Sequence, residues 1–233
     1  RLRSIRSDLR PWNVSWDEWD SMSFRRSAIE PHEQDRYPDA EDILIDVGRD
    51  TVEWLAAARP ADASCWIEAN RSPEVPLLRR IAIHAVSIHS QMDADLRIAW
   101  LLDKVGLQGL AEHHEVFRLA GNNYADASEA TRNRMVDTVM ADGAEREDSS
   151  DRDRERFNWL TWLVQAKPDC PIATYQLERL KQAHPEWEAR EQLDLTHWTG
   201  GASWVGPQSP WTVEELLAID AEEQLERLLT YQG

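Results

Sequence analysis

Residues 153–166 form the stretch DRERFNWLTWLVQA. Drawn as an α-helix, it carries apolar residues on two faces. The first face holds Phe157, Leu160, Thr161 and Val164, and the second holds Trp159, Trp162, Leu163 and Ala166. A helix that is apolar on two faces is buried among other helices. The stretch therefore predicts a central helix.

The same periodicity continues outward from this helix. On the N-terminal side, four more stripes have helical spacing: Leu44, Val47, Thr51, Trp54, Leu55 and Ala58; Leu77, Leu78, Ile81, Ala85 and Ile88; Ile98, Leu101, Leu102 and Val105; Met135, Val136, Val139 and Met140. Ser128 is a candidate N-cap for the last of them. On the C-terminal side, Pro171 and Pro185 bracket a helix that ends at His184. Alternating, strand-like runs are nearly absent, which indicates an all-α protein.

Short amphipathic helices joined by brief breaks are typical of stacked helical hairpins. The sequence thus predicts a HEAT- or armadillo-like stack of degenerate hairpins. Because no motif repeats at a fixed period, an irregular helical bundle is the alternative. Three parts are predicted: a capping segment over residues 1–40, the repeat stack over 41–186, and a Gly- and Trp-bearing loop with a C-terminal helix pair over 187–233. A first residue that is arginine indicates a piece of a longer chain.

Two stretches interrupt the helical pattern. Residues 142–156 carry mixed charge and predict a solvated loop that runs into a helix. Residues 187–210 are long for a structureless connection, so we expect them to be packed or functional. After them, capping-box patterns at Thr212 and Asp220 predict two short helices with a break near Ile219.

The charge balance excludes several classes of partner. The chain has 43 acidic and 26 basic residues, a net charge of -17, which repels nucleic acid and anionic lipid. No apolar run is long enough for a membrane span. Cys65 and Cys170 show no pairing pattern and are interpreted as small buried hydrophobes, which suits the reducing cytoplasm.

Histidines form the most enzyme-like cluster, and their spacing argues against a site. His113, His114 and Glu115 are consecutive, so they point about 100° apart on a helix, whereas helical metal pairs are three or four residues apart. His84 and His89 are five apart. No phosphate-binding loop or nucleophile elbow is present. We therefore expect no catalytic residue, metal or cofactor. The alternative is an all-helical hydrolase with a His and carboxylate site, which would require these histidines to converge.

Tryptophan is the unusual component, with twelve residues. Trp12, Trp16 and Trp19 share one helix face and are interpreted as a staple for the first helix. Trp198, Trp204 and Trp211 lie in or beside the Gly-bearing loop and are the candidate protein-binding residues, since indoles anchor many interfaces. For Trp198 and Trp204, packing in the core fits the sequence equally well. The expected partner is a protein: a neighbouring domain, another copy of the chain, or a phage component.

Three phrases carry a family resemblance: AIEPHEQD at 28–35, HEVFRL at 114–119 and WVGPQSP at 204–210. They resemble the helical-repeat regions of large bacterial anti-phage defence proteins, where such repeats follow sirtuin-like or signal-transduction NTPase effector domains. The resemblance implies a non-catalytic sensor or assembly module whose effector chemistry lies in another domain. It assigns no catalytic residue to this segment.

Overall fold

The computed structural model describes residues 23, 26–35, 40–72, 74–107, 112–142, 149–195, 218–220 and 223–224. The chain divides into two compact units, Arg1–His197 and Trp198–Gly233. Over the described residues the regular structure is helical and includes no strand, which confirms the all-α prediction. No helix in this part of the chain is long and apolar enough to cross a membrane.

The described helices of the first unit follow a short 3₁₀ turn at Glu33–Asp35. They are α1 Ala40–Ala58, α2 Pro60–Asn70, α3 Pro76–Ile88, α4 Ala94–Trp100, α5 His113–Tyr124, α6 Glu129–Ala141, α7 Ser149–Ala166 and α8 Pro171–Ala183. Helix α4 continues into a π-helical turn, Leu101–Val105, which ends at Gly106 with φ of 83°. This left-handed conformation favours glycine, because a Cβ would be strained there.

Local sequence accounts for several helix ends. Proline occupies the first turn of α2, α3 and α8, where its missing N–H costs no hydrogen bond. The side chains of Asp93 and Ser128 cap α4 and α6 by accepting from backbone amides three residues ahead. The predicted Ser128 cap and the predicted limits of α8 are therefore confirmed.

The core is built around α3, α5 and α7. Helix α3 packs on α1, α2 and α5; α5 packs also on α4 and α7; and α7 packs on α6 and α8 as well. Every residue from Ile81 to Val86 is buried, so α3 has core contacts on all sides. In α7 the residues Phe157, Trp159, Leu160, Thr161 and Leu163 are buried, in agreement with the predicted central helix. HEAT- or armadillo-like stacking of these helices stays a prediction.

Some irregular stretches differ from their predicted structure. Helix α7 begins at Ser149, so the charged residues from there to Arg156 are helical and not loop. Leu193 and Leu195 are buried, which agrees with a packed segment after α8. Cys170 is buried as predicted, but Cys65 is exposed, so the prediction for Cys65 is wrong. It lies on the solvent side of α2, whose buried residues are Ala63 and Ile67.

The second unit is described at five residues. The chain turns at Ala218 and Ile219, and the Asp220 carboxylate accepts a hydrogen bond from the Glu223 amide at 2.9 Å. This contact confirms the predicted break and cap there. The predicted cap at Thr212 and the staple at Trp12, Trp16 and Trp19 lie outside the described residues.

A missing side chain lets α5 and α7 approach closely. The Trp162 indole donates from Nε1 to the carbonyl oxygen of Phe117 at 2.6 Å, and the Phe117 ring stacks on Trp159 with centroids 3.8 Å apart. A Cβ on Gly121 would lie 2.5 Å from Trp162 Nε1. Since the hydrogen bond holds the indole, any side chain at position 121 must displace it.

We predict opposite effects for two glycine substitutions in helices. Gly121→Ala should lower the free energy of unfolding by about 1 to 3 kcal/mol, because the new methyl group overpacks the contact with Trp162. Gly48→Ala should raise it by about 0.5 to 1 kcal/mol, because its Cβ would meet Ile81 at an ordinary 3.7 Å and alanine favours the helix. Urea denaturation of both variants measures the difference. Equal effects would contradict this packing of α5 on α7.

Candidate functional site

A buried ion pair joins α3 to α5. Arg80 is 1% exposed and Glu115 is 4% exposed. The guanidinium donates two hydrogen bonds to the carboxylate, from Nε to Oε2 at 2.8 Å and from Nη2 to Oε1 at 2.9 Å. A planar guanidinium fork matches a carboxylate in few orientations, so this bidentate contact fixes the relative position of both side chains.

The same pair binds the backbone that precedes α1. Oε1 of Glu115 accepts from the amide of Ile29 at 2.9 Å. The remaining donors of Arg80 reach the carbonyl oxygens of Ser23, Arg26 and Ser27. All five N–H groups of the guanidinium therefore have acceptors. The backbone at these residues is held against α3 and α5.

Arg26 extends this anchor to α1. Its side chain is buried, and Nη2 donates to Oδ1 of Asp46 at 2.6 Å. Its other nitrogens lie 3.9 Å from Asp42 and 3.5 Å from Asp35. Asp42 and Asp46 are one turn apart on α1, so a single guanidinium orients one side of this helix.

Two further residues of α1 make polar contacts. Nη1 of Arg49 donates to Asp46 at 2.8 Å and to the carbonyl oxygen of Ile29 at 3.3 Å. Oε1 of Glu53 lies 2.8 Å from Nε2 of His84 on α3. The side of α1 that faces the protein therefore carries ionic and hydrogen-bonded side chains beside its buried apolar residues. Its buried residues are Ile45, Val52 and Ala56.

The opposite side of α1 is apolar and exposed. The exposed fractions are 55% for Ile43, 70% for Leu44, 57% for Val47 and 57% for Trp54. Thr51 is exposed as well. The stripe that marks this helix in the sequence thus faces solvent, whereas an ordinary amphipathic helix turns its apolar stripe to the core. We call Ile43, Leu44, Val47, Thr51 and Trp54 the outer face of α1.

The histidines do not form one site. His84 contacts Glu53, and His89 contacts the Ser64 hydroxyl and the carbonyl oxygen of Pro60, both at 3.0 Å. His113 contacts the carbonyl oxygen of Leu193 at 2.9 Å. Each imidazole therefore links elements of the fold through its own partners. Among the described residues, no three His, Cys, Asp or Glu side chains are placed to hold a metal ion.

His114 has two carboxylate neighbours. Nε2 lies 3.3 Å from Oε1 of Glu30, and Nδ1 lies 3.3 Å from Oδ2 of Asp194. Burial opposes a charge on this ring, but the contacts with Asp194 and Glu30 outweigh burial and raise the pKa of His114 to about 9. The ion contact with His114 lowers the pKa of Glu30 in turn. A protonated imidazole between two carboxylates attracts both of them, so the trio joins α5 to the residues at Glu30 and Asp194, and we call it the His114 clamp.

The predicted protein-binding residues Trp198, Trp204 and Trp211 lie outside the described residues. Sequence reasoning missed both the Arg80–Glu115 pair and the outward turn of α1. The sequence does contain one indication of a buried charge, since Arg80 interrupts the largely apolar run PLLRRIAIHAV at 76–86. A charge within such a run is buried with a partner or turned outward, and the pattern alone does not choose between these.

We predict that His114 makes stability depend on pH. Its pKa is higher in the folded chain than the ordinary 6.5, so the fold favours the protonated ring. That stabilisation is complete below about pH 6.5 and is lost as pH rises through about 9, a change on the order of 3 kcal/mol. Denaturant midpoints over this range measure the loss, and His114→Gln should remove this contribution. Asp194→Asn should move the loss to lower pH. A wild-type pH profile that matches His114→Gln would contradict the clamp.

Comparison with known proteins identifies no family for this chain. No family model, curated protein or solved structure matches the chain. The resemblance to the repeat regions of defence proteins stays a prediction from the three phrases at 28–35, 114–119 and 204–210.

Proposed function

We propose that this chain is a non-catalytic helical scaffold that recognises another protein through the outer face of α1. The observation that supports this function is the apolar stripe that this helix exposes. Asp46 and Glu53 contact the rest of the fold, whereas Ile43, Leu44, Val47 and Trp54 are exposed to solvent. Contiguous apolar patches on a protein surface mark binding sites more often than isolated apolar residues do.

The dimensions of the face suit a protein partner. Helix α1 has 19 residues, which corresponds to a length of about 28 Å. The exposed apolar residues extend along it from Ile43 to Trp54. Trp54 supplies a large indole of the kind that anchors protein interfaces.

The hydrolase alternative gains no support from the described residues. His114 is protonated at neutral pH, and burial lowers the pKa of His113, whose ring contacts the carbonyl oxygen of Leu193. His84 and His89 are engaged by partners on α1 and α2. A catalytic base requires an accessible lone pair beside a substrate cavity, and these contacts do not provide one.

Two narrower proposals accompany the scaffold. One is that Trp198, Trp204 and Trp211 form a second binding surface, based on their position in and beside a Gly-bearing loop. The other is that the scaffold is the sensor or assembly module of an anti-phage defence protein, based on the resemblance of the three sequence phrases. Both concern partners other than nucleic acid, because the net charge of -17 repels phosphate backbones.

We predict that Trp54→Ala weakens partner binding while Tyr175→Ala does not. Tyr175 on α8 is 62% exposed and is the matched control, since both substitutions remove an exposed aromatic ring. Proteins captured from the native host by the full chain are compared between the two variants, and the candidate is then purified. Its Kd should rise about 30-fold with Trp54→Ala, which corresponds to a hot spot of about 2 kcal/mol.

Circular dichroism and urea denaturation first establish that both variants fold like the wild type, as expected for residues exposed this much. If no captured protein distinguishes Trp54→Ala from Tyr175→Ala, the outer face of α1 is not the recognition surface and the proposal fails.

A further inference from the structure

Six of the exposed positions of α1 follow a heptad pattern. Ala40, Leu44, Val47, Thr51, Trp54 and Ala58 are separated alternately by four and three residues, and all six are exposed. This is the spacing of the a and d positions along which one helix packs against another in a coiled coil. Alanine at both ends allows close approach of a partner backbone. The outer face thus has the geometry of one half of a helix pair.

Charges beside this seam have one sign. The positions that flank it in a helix pair are Glu41, Ile43, Gly48, Asp50, Leu55 and Ala57. Both charged residues among them are acidic, and both are exposed. Arg49 donates to Asp50, but it also bonds inward to Asp46 and to the backbone at Ile29, and it is only 12% exposed. The Asp50 side chain remains 66% exposed.

We propose that the occupant of this seam is an α-helix of another protein, with apolar residues at heptad spacing and with Lys or Arg at its flanking positions. This inference rests on the proposed function and specifies the partner. Flanking residues set partner choice in coiled coils, since opposite charges attract and like charges repel. Basic flanks would meet Glu41 and Asp50 and would be drawn to the acidic chain from a distance.

A second copy of the chain is disfavoured by the same charges. In a pair of α1 helices, every charged flanking residue would meet an acidic or an uncharged one. The two copies would also each carry a net charge of -17. Like charges across an interface are destabilising, so self-pairing has no compensating contact at the flanks.

The test uses two synthetic amphipathic helices of about three heptads, each with leucine at the a and d positions. One has lysine at the flanking positions and the other has glutamate. Binding to the full chain is measured by fluorescence anisotropy. We expect the lysine peptide to bind with one-to-one stoichiometry and to bind more weakly as salt rises, and the glutamate peptide not to bind.

Matched leucine variants locate the contact. Leu44→Ser should weaken binding of the lysine peptide at least about tenfold. Leu96→Ser on α4 should leave it unchanged, since Leu96 is 52% exposed but lies on another helix. Serine adds no charge, so general attraction to the acidic surface is equal in both variants.

Four results would overturn the proposed occupant. The first is equal binding of both peptides, and the second is equal binding of the lysine peptide to both leucine variants. The third is a dimer of the full chain that Leu44→Ser dissociates. The fourth is peptide binding that occurs only after Arg1, Arg3, Arg6 and Arg10 are changed to serine. The last two would identify a second copy and the chain's own first segment as occupants. A protein whose capture depends on Trp54 but which has no basic helix would also overturn the occupant, and the proposed function would stand.

Discussion

The structure depends on the buried contact between Arg80 and Glu115. A buried ion pair adds little net stability, because desolvation of the two charges offsets their attraction. Loss of one partner is costly, however, since the other charge then stays buried without compensation. The pair therefore restricts the arrangement of its surroundings more than it stabilises them. Here it restricts the distance between α3 and α5 and the path of the backbone at Ser23 and 26–29.

The orientation of α1 follows from this anchor. Arg26, held at its own carbonyl oxygen by Arg80, binds Asp46, and Arg49 binds the carbonyl oxygen of Ile29. If α1 were turned to bury Leu44 and Trp54, these charges would leave their partners and the buried Arg26 would lose the carboxylates of Asp42 and Asp46. Ionic contacts on one side of the helix thus hold the apolar stripe from Leu44 to Trp54 on the other. The candidate binding face is a consequence of the charges beneath it.

Sequence periodicity predicted the helices well and their orientation less well. The caps at Ser128 and Asp220 and the two-faced helix around Trp162 could be predicted because each depends on residues within one or two turns. The direction in which α1 faces could not, because it depends on Arg26 and Arg80, which are 54 residues apart and meet only in the folded chain. Glu115 was interpreted as part of a histidine cluster. Its contact with Arg80 could not be predicted either, because the two residues are far apart in the sequence and meet only in the folded chain.

Thiol reactivity tests the orientation of α1 most directly. In a Cys65→Ser background, which removes the exposed native thiol, Val47→Cys and Val52→Cys are compared for their rate of reaction with a maleimide in the folded chain. Val47 is 57% exposed and Val52 is 2% exposed, and the remaining thiol, Cys170, is buried. We expect rapid modification at position 47 and modification at position 52 only after denaturation. Rapid modification at 52 with protection at 47 would mean that α1 buries the stripe that contains Val47, which would contradict both the ionic contacts of its inner side and the proposed recognition surface.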